Sequence, residues 1–369
     1  MIITRTPFRL SFFGGGTDYP GWFKYHGGSV IATAIDKFCY ISVRRLPPFF
    51  EHRIRVVYSR NEICRDVDEV QHPSVRETLR FMGIKNGIEI HHDGDLPARS
   101  GMGSSSAFTV GLLNSLHALK GRMVGPSQLG AESIHLEQEV LRETVGSQDQ
   151  VTAAHGGFNQ IRFLPSGEIQ VIPITISRER MLNLQASLML FYTGLKRTAS
   201  EVAETYVPTI NDKEKQLFTI GEMVQKALDI LNSDRSLSLF GELMDESWRV
   251  KRSLSSSVSS KEIDSMYRVA LEAGALGGKI TGAGGGGFLL LFVPPEKRGK
   301  VRESLSNLIH VPFEFEGSGS RVIFYGQQSD YSDAAEDNYN RVILRSRERI
   351  EMDVNPGEHK HVNGNWERE

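Results

Sequence analysis

The sequence predicts an α+β fold in two domains, and three observations predict it. The chain is 369 residues long and 39% hydrophobic, a length that argues for two domains with sizeable cores. Strand-sized apolar runs and helix-length amphipathic runs are mixed along it, with no internal repeat. A turn-rich stretch near 165–185 separates two such regions, which sets an N-terminal domain at 1–170 and a C-terminal domain at 171–327. From 328 to 369 the residues turn charged and poor in large apolar side chains ("SDAAEDNYNRV", "NGNWERE"). That stretch reads as a tail, helical around 334–351 and disordered after it.

The elements follow in order. Residues 2–13 and 39–44 alternate as strands do, and "GIEIHH" at 87–92 is a third strand. Helical spacing follows at 104–119 and 127–143. "NLQASLMLFYTG" at 183–194 predicts a strand. Residues 213–232 and 236–252 read as long amphipathic helices, and "KEIDSMYRVALEAGA" at 261–275 as a third that ends near Gly274. "FLLLFV" at 288–293 is a strand that stops at Pro294. A helix at 295–308 and a strand near 321–325 complete the pattern.

Composition excludes several classes. The formal charge of −2 offers no basic surplus for bulk nucleic-acid binding. Two cysteines, Cys39 and Cys64, make neither a disulfide framework nor a cysteine metal site, and they fit a reducing cytoplasm. Arg5 and Arg9 interrupt the apolar core that a signal peptide needs. No apolar run approaches the ~20 residues of a membrane helix. The eleven histidines show no metal-ligand spacing. The expectation is a cytoplasmic chain without nucleic-acid or membrane partners, with a homodimer left open.

Three glycine-rich motifs carry the chemistry. The first, "PARSGMGSSSAFTVGLL" (Pro97–Leu113), lies between a strand and a helix. Helix N-termini present unpaired N–H groups and the positive end of the macrodipole. Gly101 and Gly103 let a backbone approach an anion, and Ser104, Ser105 and Ser106 add hydroxyls that can cap the helix or reach a metal. The loop therefore suits a phosphate, although alone it is equally an ordinary serine-capped helix start. It is not a Walker loop, which needs G-x-x-x-x-G-K-[ST]. The second motif, "TGAGGGGF" (281–288), satisfies G-x-G-x-x-G in letters. There a helix precedes and a strand follows, the reverse of the dinucleotide fingerprint, so a nicotinamide-dependent dehydrogenase is excluded. Its glycines permit two backbones, or a backbone and a phosphate, to approach closely. The third, "PFRLSFFGGGTDYP" (7–20), ends a strand in glycines followed by Thr17-Asp18-Tyr19, where a carboxylate can accept hydrogen bonds from hydroxyls.

These motifs, in this order over residues 1 to about 327, resemble the GHMP kinases, the superfamily of galactokinases, homoserine kinases and mevalonate kinases. "FFGGGTDYP", "DGDLPARSGMGSSSAFTVGLL", "VGSQDQVTAAHGGFN", "FYTGLKRTAS" and "AGALGGKITGAGGGGF" look most like the branch that phosphorylates D-glycero-D-manno-heptose 7-phosphate. The resemblance implies an N-terminal domain like the second domain of ribosomal protein S5 and a ferredoxin-like C-terminal domain, with ATP and a small-molecule sugar meeting in the cleft between them. It implies that the nucleotide phosphates lie along Pro97, Arg99, Gly101, Met102, Gly103, Ser104, Ser105 and Ser106. Mg2+ would be held by Ser105 and a helix glutamate. Glu137 is chosen over Glu139 because it shares the more apolar helix face with Gly130 and Ile134. Asp149 would take the acceptor hydroxyl's proton or orient that hydroxyl, with Arg9 as its counter-charge. Asp18, beside Tyr19, would bind sugar hydroxyls, and backbone N–H groups around Gly284 and Gly285 would close over acceptor and phosphates.

The sugar is approached through a departure. Galactokinases read G-E-H-T-D where this chain has Gly15 and Gly16, so room is expected for a longer C6 substituent. A phosphate there needs a cation. Lys196-Arg197 and Lys251-Arg252 are the available basic pairs, and Arg197 is preferred because Gly194, Thr198 and Ser200 suit a phosphate loop. The implied activity is phosphorylation of the heptose 7-phosphate at O1. Another hexose 1-kinase (galactose, fucose or an N-acetylhexosamine), or a sugar sensor on the same fold, stands as the alternative.

Overall fold

The computed structural model describes residues 1–98, 100–195 and 199–327; Arg99, Lys196, Arg197, Thr198 and the 328–369 tail lie outside the described residues. In chain order the first half runs β1 (Ile2–Phe13), α1 (Pro20–His26), β2 (Gly28–Arg45), β3 (Ile54–Val57), β4 (Asn61–Cys64), α2 (Pro73–Phe81), β5 (Ile88–Gly94), α3 (Ser104–Leu119), α4 (Pro126–His135), α5 (Gln148–His155), β6 (Phe158–Phe163) and β7 (Ile169–Pro173). The second runs α6 (Arg178–Ala186), β8 (Leu188–Tyr192), α7 (Ala199–Ala203), α8 (Glu214–Leu231), α9 (Ser238–Arg252), α10 (Lys261–Ala273), β9 (Gly277–Ile280), β10 (Phe288–Phe292), α11 (Arg298–Ser304), β11 (Ile309–Val311), β12 (Phe315–Glu316) and β13 (Arg321–Tyr325).

Two sheets organise these elements. The first has nine strands, with β13-β1-β2-β5-β3-β4 as its path; β6 and β12 also pair with β2, and β7 with β6. Its pairings are antiparallel except β3 with β5. The second has four antiparallel strands in the order β11-β8-β10-β9. Helices α7 to α10 lie between β8 and β9, and α11 lies between β10 and β11. That is the β-α-β-β-α-β plan of a ferredoxin-like unit. Its local signals agree: Ser260 accepts from the N–H of Ile263 at 3.4 Å to cap α10, and Gly274 ends that helix at φ 114°. The sheets share apolar contacts. The Phe240 ring of α9 meets Phe12 and Phe13 of β1 at 5.7 and 5.0 Å between centroids.

Three expectations change. Strand 183–194 begins later, because Ser177 caps α6, accepting from the N–H of Arg180 at 3.1 Å, and helix occupies the segment to Ala186. The helix expected at 295–308 is a 3-10 turn at Pro295–Lys297 followed by the short α11. The boundary at 170/171 does not hold to residue 327, because β12 and β13 return to the first sheet, β13 against β1. Both chain ends of the described fold therefore lie in the N-terminal sheet.

Candidate active site

The serine loop enters α3 through Gly103, whose φ of 72° is left-handed, and no side chain caps the helix. The first-turn N–H groups are thus not taken by a capping side chain, as an anion site requires. The loop tolerates no bulk. A Cβ at Gly101 would lie 2.5 Å from the carbonyl oxygen of Thr281, and one at Gly103 would lie 3.2 Å from Cγ of Arg9. Met102 is fully buried and only its backbone faces the site, its carbonyl accepting from the N–H of Arg9 at 3.2 Å. Pro97 is exposed, and its carbonyl accepts from Ser100 Oγ at 2.7 Å.

Arg9 and Asp149 form the centre. Nε of Arg9 donates to Oδ1 of Asp149 at 2.6 Å and Nη2 donates to Oδ2 at 2.5 Å, a two-pronged pair. Nη1 donates to the carbonyl of Gly101 at 2.7 Å, which ties the pair to the serine loop. The arginine side chain is 4% exposed and the aspartate 25%, so the carboxylate is the open end. Asp149 also lies in the first turn of α5, where the helix dipole favours negative charge. Each carboxylate oxygen keeps a lone pair for a further donor such as a sugar hydroxyl.

The two glutamines that flank Asp149 serve two other acids. Successive helix residues point about 100° apart, so the three side chains fan outward. Gln148 Nε2 donates to Oδ2 of Asp18 at 3.0 Å, and Gln150 Nε2 donates to Oε2 of Glu137. Sequence reasoning overlooked both glutamines; their placement either side of Asp149 was the available signal.

Glu137 is fully buried while Glu139 is exposed. Glu137 stands in a widened π turn, Leu136–Val140, that interrupts the helix expected at 127–143. Ser106 Oγ donates to its Oε2 at 2.9 Å, and its Oε1 has no partner. Burial, and then the charge of Glu143, push this carboxyl up to about 8. The serine on Glu137 is therefore Ser106, whereas Ser105, the expected ligand, is exposed on the next step of the helix and Ser104 is half-buried. These donors fit a hard cation, which takes oxygen ligands, and the glycine cradle fits a triphosphate. Among the described residues no group of three or more His, Cys, Asp or Glu could hold a metal.

The N-terminal motif is more closed than expected. Asp18 is buried, accepting from the N–H of Gly16 at 3.0 Å besides Gln148. Burial pushes its carboxyl up, and the Gly16 hydrogen bond partly offsets this. Tyr19 is buried too, its ring edge-on to Tyr206 at 6.3 Å, so it backs Asp18 rather than facing a ligand. The space at Gly16 is limited, because a Cβ there would lie 3.1 Å from Cδ2 of Leu217 on α8. At Gly15 the nearest atom would be Nε2 of Gln148, at 3.6 Å, so room remains on that side.

The 281–288 motif packs backbone against backbone. The N–H of Gly285 donates to the carbonyl of Val258 at 2.9 Å, and the Gly284 backbone lies against the same residue. The N–H of Gly285 is thus committed and does not reach over the acceptor. The motif instead meets the serine loop, Gly282 against Gly101 and Gly287 against the carbonyl of Ser100.

Two cations on the C-terminal side were not singled out in this role. Lys251 and Arg252 do not act as a pair. Arg252 bonds Asp264 at the surface at 2.7 Å, whereas Lys251 is buried and donates Nζ to the carbonyl of Gly282. Lys279 is buried and donates to the carbonyl of Phe12 at 3.1 Å. Burial, and then Arg9, bring Lys251 down to about 8; burial, and then Lys251, bring Lys279 well below the usual lysine range. Lys251 lies on the buried face of α9 with Phe240, Met244 and Ser247, so helical spacing was the signal for its inward turn. Arg197, the preferred phosphate partner, and Arg99 lie outside the described residues.

Known proteins resemble this chain in both of its halves. The model of the GHMP kinases N terminal domain matches residues 71–157 and that of the GHMP kinases C terminal matches 224–310. A D-glycero-alpha-D-manno-heptose 7-phosphate kinase of Campylobacter jejuni is 26% identical over 327 residues, 82% of this chain and 93% of that protein. A mevalonate kinase of Pyrococcus furiosus is 25% identical over 333 residues, 80% of this chain and 90% of that one. Among solved structures, a D-glycero-D-manno-heptose 1-phosphate kinase from Bacteroides thetaiotaomicron superposes with a TM-score of 0.72 at 21% identity, over 89% of this chain and 100% of that one. Among the described residues no helix is long and apolar enough to cross a membrane.

Proposed function

The chain belongs to the GHMP kinases, phosphotransferases that use ATP, and from that premise we propose that it phosphorylates O1 of D-glycero-D-manno-heptose 7-phosphate to the 1,7-bisphosphate. The observation that carries this reading is the two-pronged Arg9–Asp149 pair bonded to the serine loop. Asp149 holds the anomeric hydroxyl and accepts its proton as that oxygen attacks. Arg9 fixes the carboxylate's orientation and balances its charge. In-line phosphoryl transfer asks mainly for positioning and charge stabilisation, and this geometry provides both.

ATP bound at the loop supplies the phosphoryl group. The first-turn N–H groups of α3 hold its phosphates, and Gly101 and Gly103 keep the cradle open. Glu137 and a loop serine hold Mg2+; Ser106 already touches Glu137. Asp18, fixed by Gln148 and the N–H of Gly16, receives sugar hydroxyls. The choice of heptose rests on the Campylobacter relative and on Gly15, beside which the sugar's far end finds room. Arg197 is assigned to the 7-phosphate.

The test is a kinase assay over free sugars and sugar phosphates, with the product position read by phosphorus NMR. Heptose 7-phosphate is expected to be the preferred acceptor, phosphorylated at O1. Equal use of the unphosphorylated heptose overturns the substrate assignment, and Arg197→Ala leaving the preference intact overturns the role of Arg197.

A further inference from the structure

Among the described residues three basic side chains are buried around the cleft, and only one is ion-paired with an acid. Arg9 is answered by Asp149. Lys251 and Lys279 have no carboxylate within ion-pair distance among the described residues, and each donates to a single backbone carbonyl. Asp18, a buried acid of the same cluster, already accepts from backbone and amide N–H groups. The cluster thus brings three basic side chains, Arg9, Lys251 and Lys279, together with two acids, Asp18 and Asp149.

A buried ammonium without a counter-ion is costly, and a backbone carbonyl offsets only part of that cost. Such a site is completed by an anion. Lys251 is the better placed of the two lysines. It stands at the last turn of α9, beside Arg249 and Arg252, yet those two bond Asp245 and Asp264 at the surface while Lys251 turns inward at 6% exposure. Its Nζ reaches Gly282, whose backbone lies against Gly101 of the serine loop. The charges around it from the packed elements are Arg9 of β1, Lys279 of β9, Asp18 and Asp149. They include the Arg9–Asp149 pair to which the proposed function assigns the chemistry.

We propose that Lys251 is a phosphate-binding residue of the cleft, which gives up the carbonyl of Gly282 to bond the terminal phosphate of the nucleotide. This rests on the kinase reading above and adds a residue to it. A lysine's ammonium sits on a flexible stem with three donors, so it can swing from that carbonyl to a phosphate. The assignment explains why a lysine is kept where burial brings it down to about 8: its charge is matched only when phosphate is present.

The test measures binding of ATP and of ADP, each with Mg2+ and without sugar, by calorimetry on the full chain. In Lys251→Met, ATP affinity is expected to fall roughly 10- to 100-fold and ADP affinity less than about threefold, the size of one charge-assisted hydrogen bond lost at the terminal phosphate. Lys251→Arg should recover part of the loss. The wild-type preference for ATP should weaken as pH rises through about 8, and the Met variant should not follow. Stability separates this from a structural role, since a lysine that merely clamps Gly282 would lower the unfolding temperature when removed. Unchanged affinity for both nucleotides overturns the proposal, as does a parallel loss of both with loss of stability. Binding of heptose 7-phosphate forms a second arm, and a loss confined to that ligand also overturns the placement. Failure of the wild type to phosphorylate any sugar strikes the acceptor reading and leaves the ATP–ADP difference standing.

Discussion

The two walls of the cleft handle charge in opposite ways. On the N-terminal side, among the described residues, Arg9 is answered by Asp149, Asp18 by N–H donors, and one carboxyl oxygen of Glu137 by Ser106 and Gln150. On the C-terminal side Lys251 and Lys279 are held, among the described residues, by carbonyls alone. The answered wall is preorganised, since its groups keep their positions whatever is bound. The other wall carries an electrostatic deficit that an anion removes. The proposed reaction would use both: a fixed orienting pair in Arg9–Asp149, and a cationic face whose charge phosphate would match.

Breaking the answered wall should give the largest effect. Asp149→Asn removes the proposed proton acceptor and one arm of the pair while leaving the serine loop intact. Turnover is expected to fall about 100-fold or more, the range of a general-base contribution, with ATP affinity nearly unchanged. Near-normal turnover in that variant would remove Asp149 from the chemistry.

The same contrast marks what the sequence could reveal. Several long elements were legible because their periodicity is strong: β1 and α3 stand at 2–13 and 104–119, and α8, α9 and α10 start and end within about two residues of their expected bounds, whereas β2 runs from Gly28 to Arg45 where only 39–44 was expected. Four-residue strands such as β3 and β4 carry too few alternations to register. The return of β13 to β1 joins residues over 300 apart, which no local pattern encodes. At the site, Arg9 and Asp149 are 140 residues apart, and the family resemblance rather than any spacing joined them. Residue types could mislead as well. Lys251-Arg252 looked like one basic pair, yet adjacent helix residues diverge by about 100°, and the two side chains part company.

A smaller effect sharpens the metal side of the answered wall. Ser106 touches Glu137 and Ser105 does not, although the resemblance favours Ser105. Ser106→Ala is expected to raise the Mg2+ concentration for half-maximal activity about tenfold, as the loss of a ligand or of a group that orients one does. Ser105→Ala should move it less. A magnesium titration of both variants decides, and the reverse order restores Ser105 as the ligand.

The last effect concerns stability rather than activity, and it isolates the deficit on the C-terminal wall. Lys251 titrates near 8 in the folded protein and near 10.5 when unfolded. Its folded value is the lower one, so a buried charged lysine opposes folding. Below pH 8 both states hold the proton and the penalty is full, about 3 kcal/mol at most. Between about 8 and 10.5 the unfolded state binds the extra proton, so this group's contribution to stability improves as pH rises. Above that range the penalty is gone. Lys251→Met removes the ionisable group, and methionine's flexible thioether can occupy much of the same space. Urea unfolding of both proteins without nucleotide should therefore find the variant more stable at pH 7, with the gap closing steadily toward pH 10. A variant less stable at pH 7 would mean that the bond to Gly282 outweighs the cost of burying the charge. A gap that ignores pH would mean that the lysine is not the group being titrated.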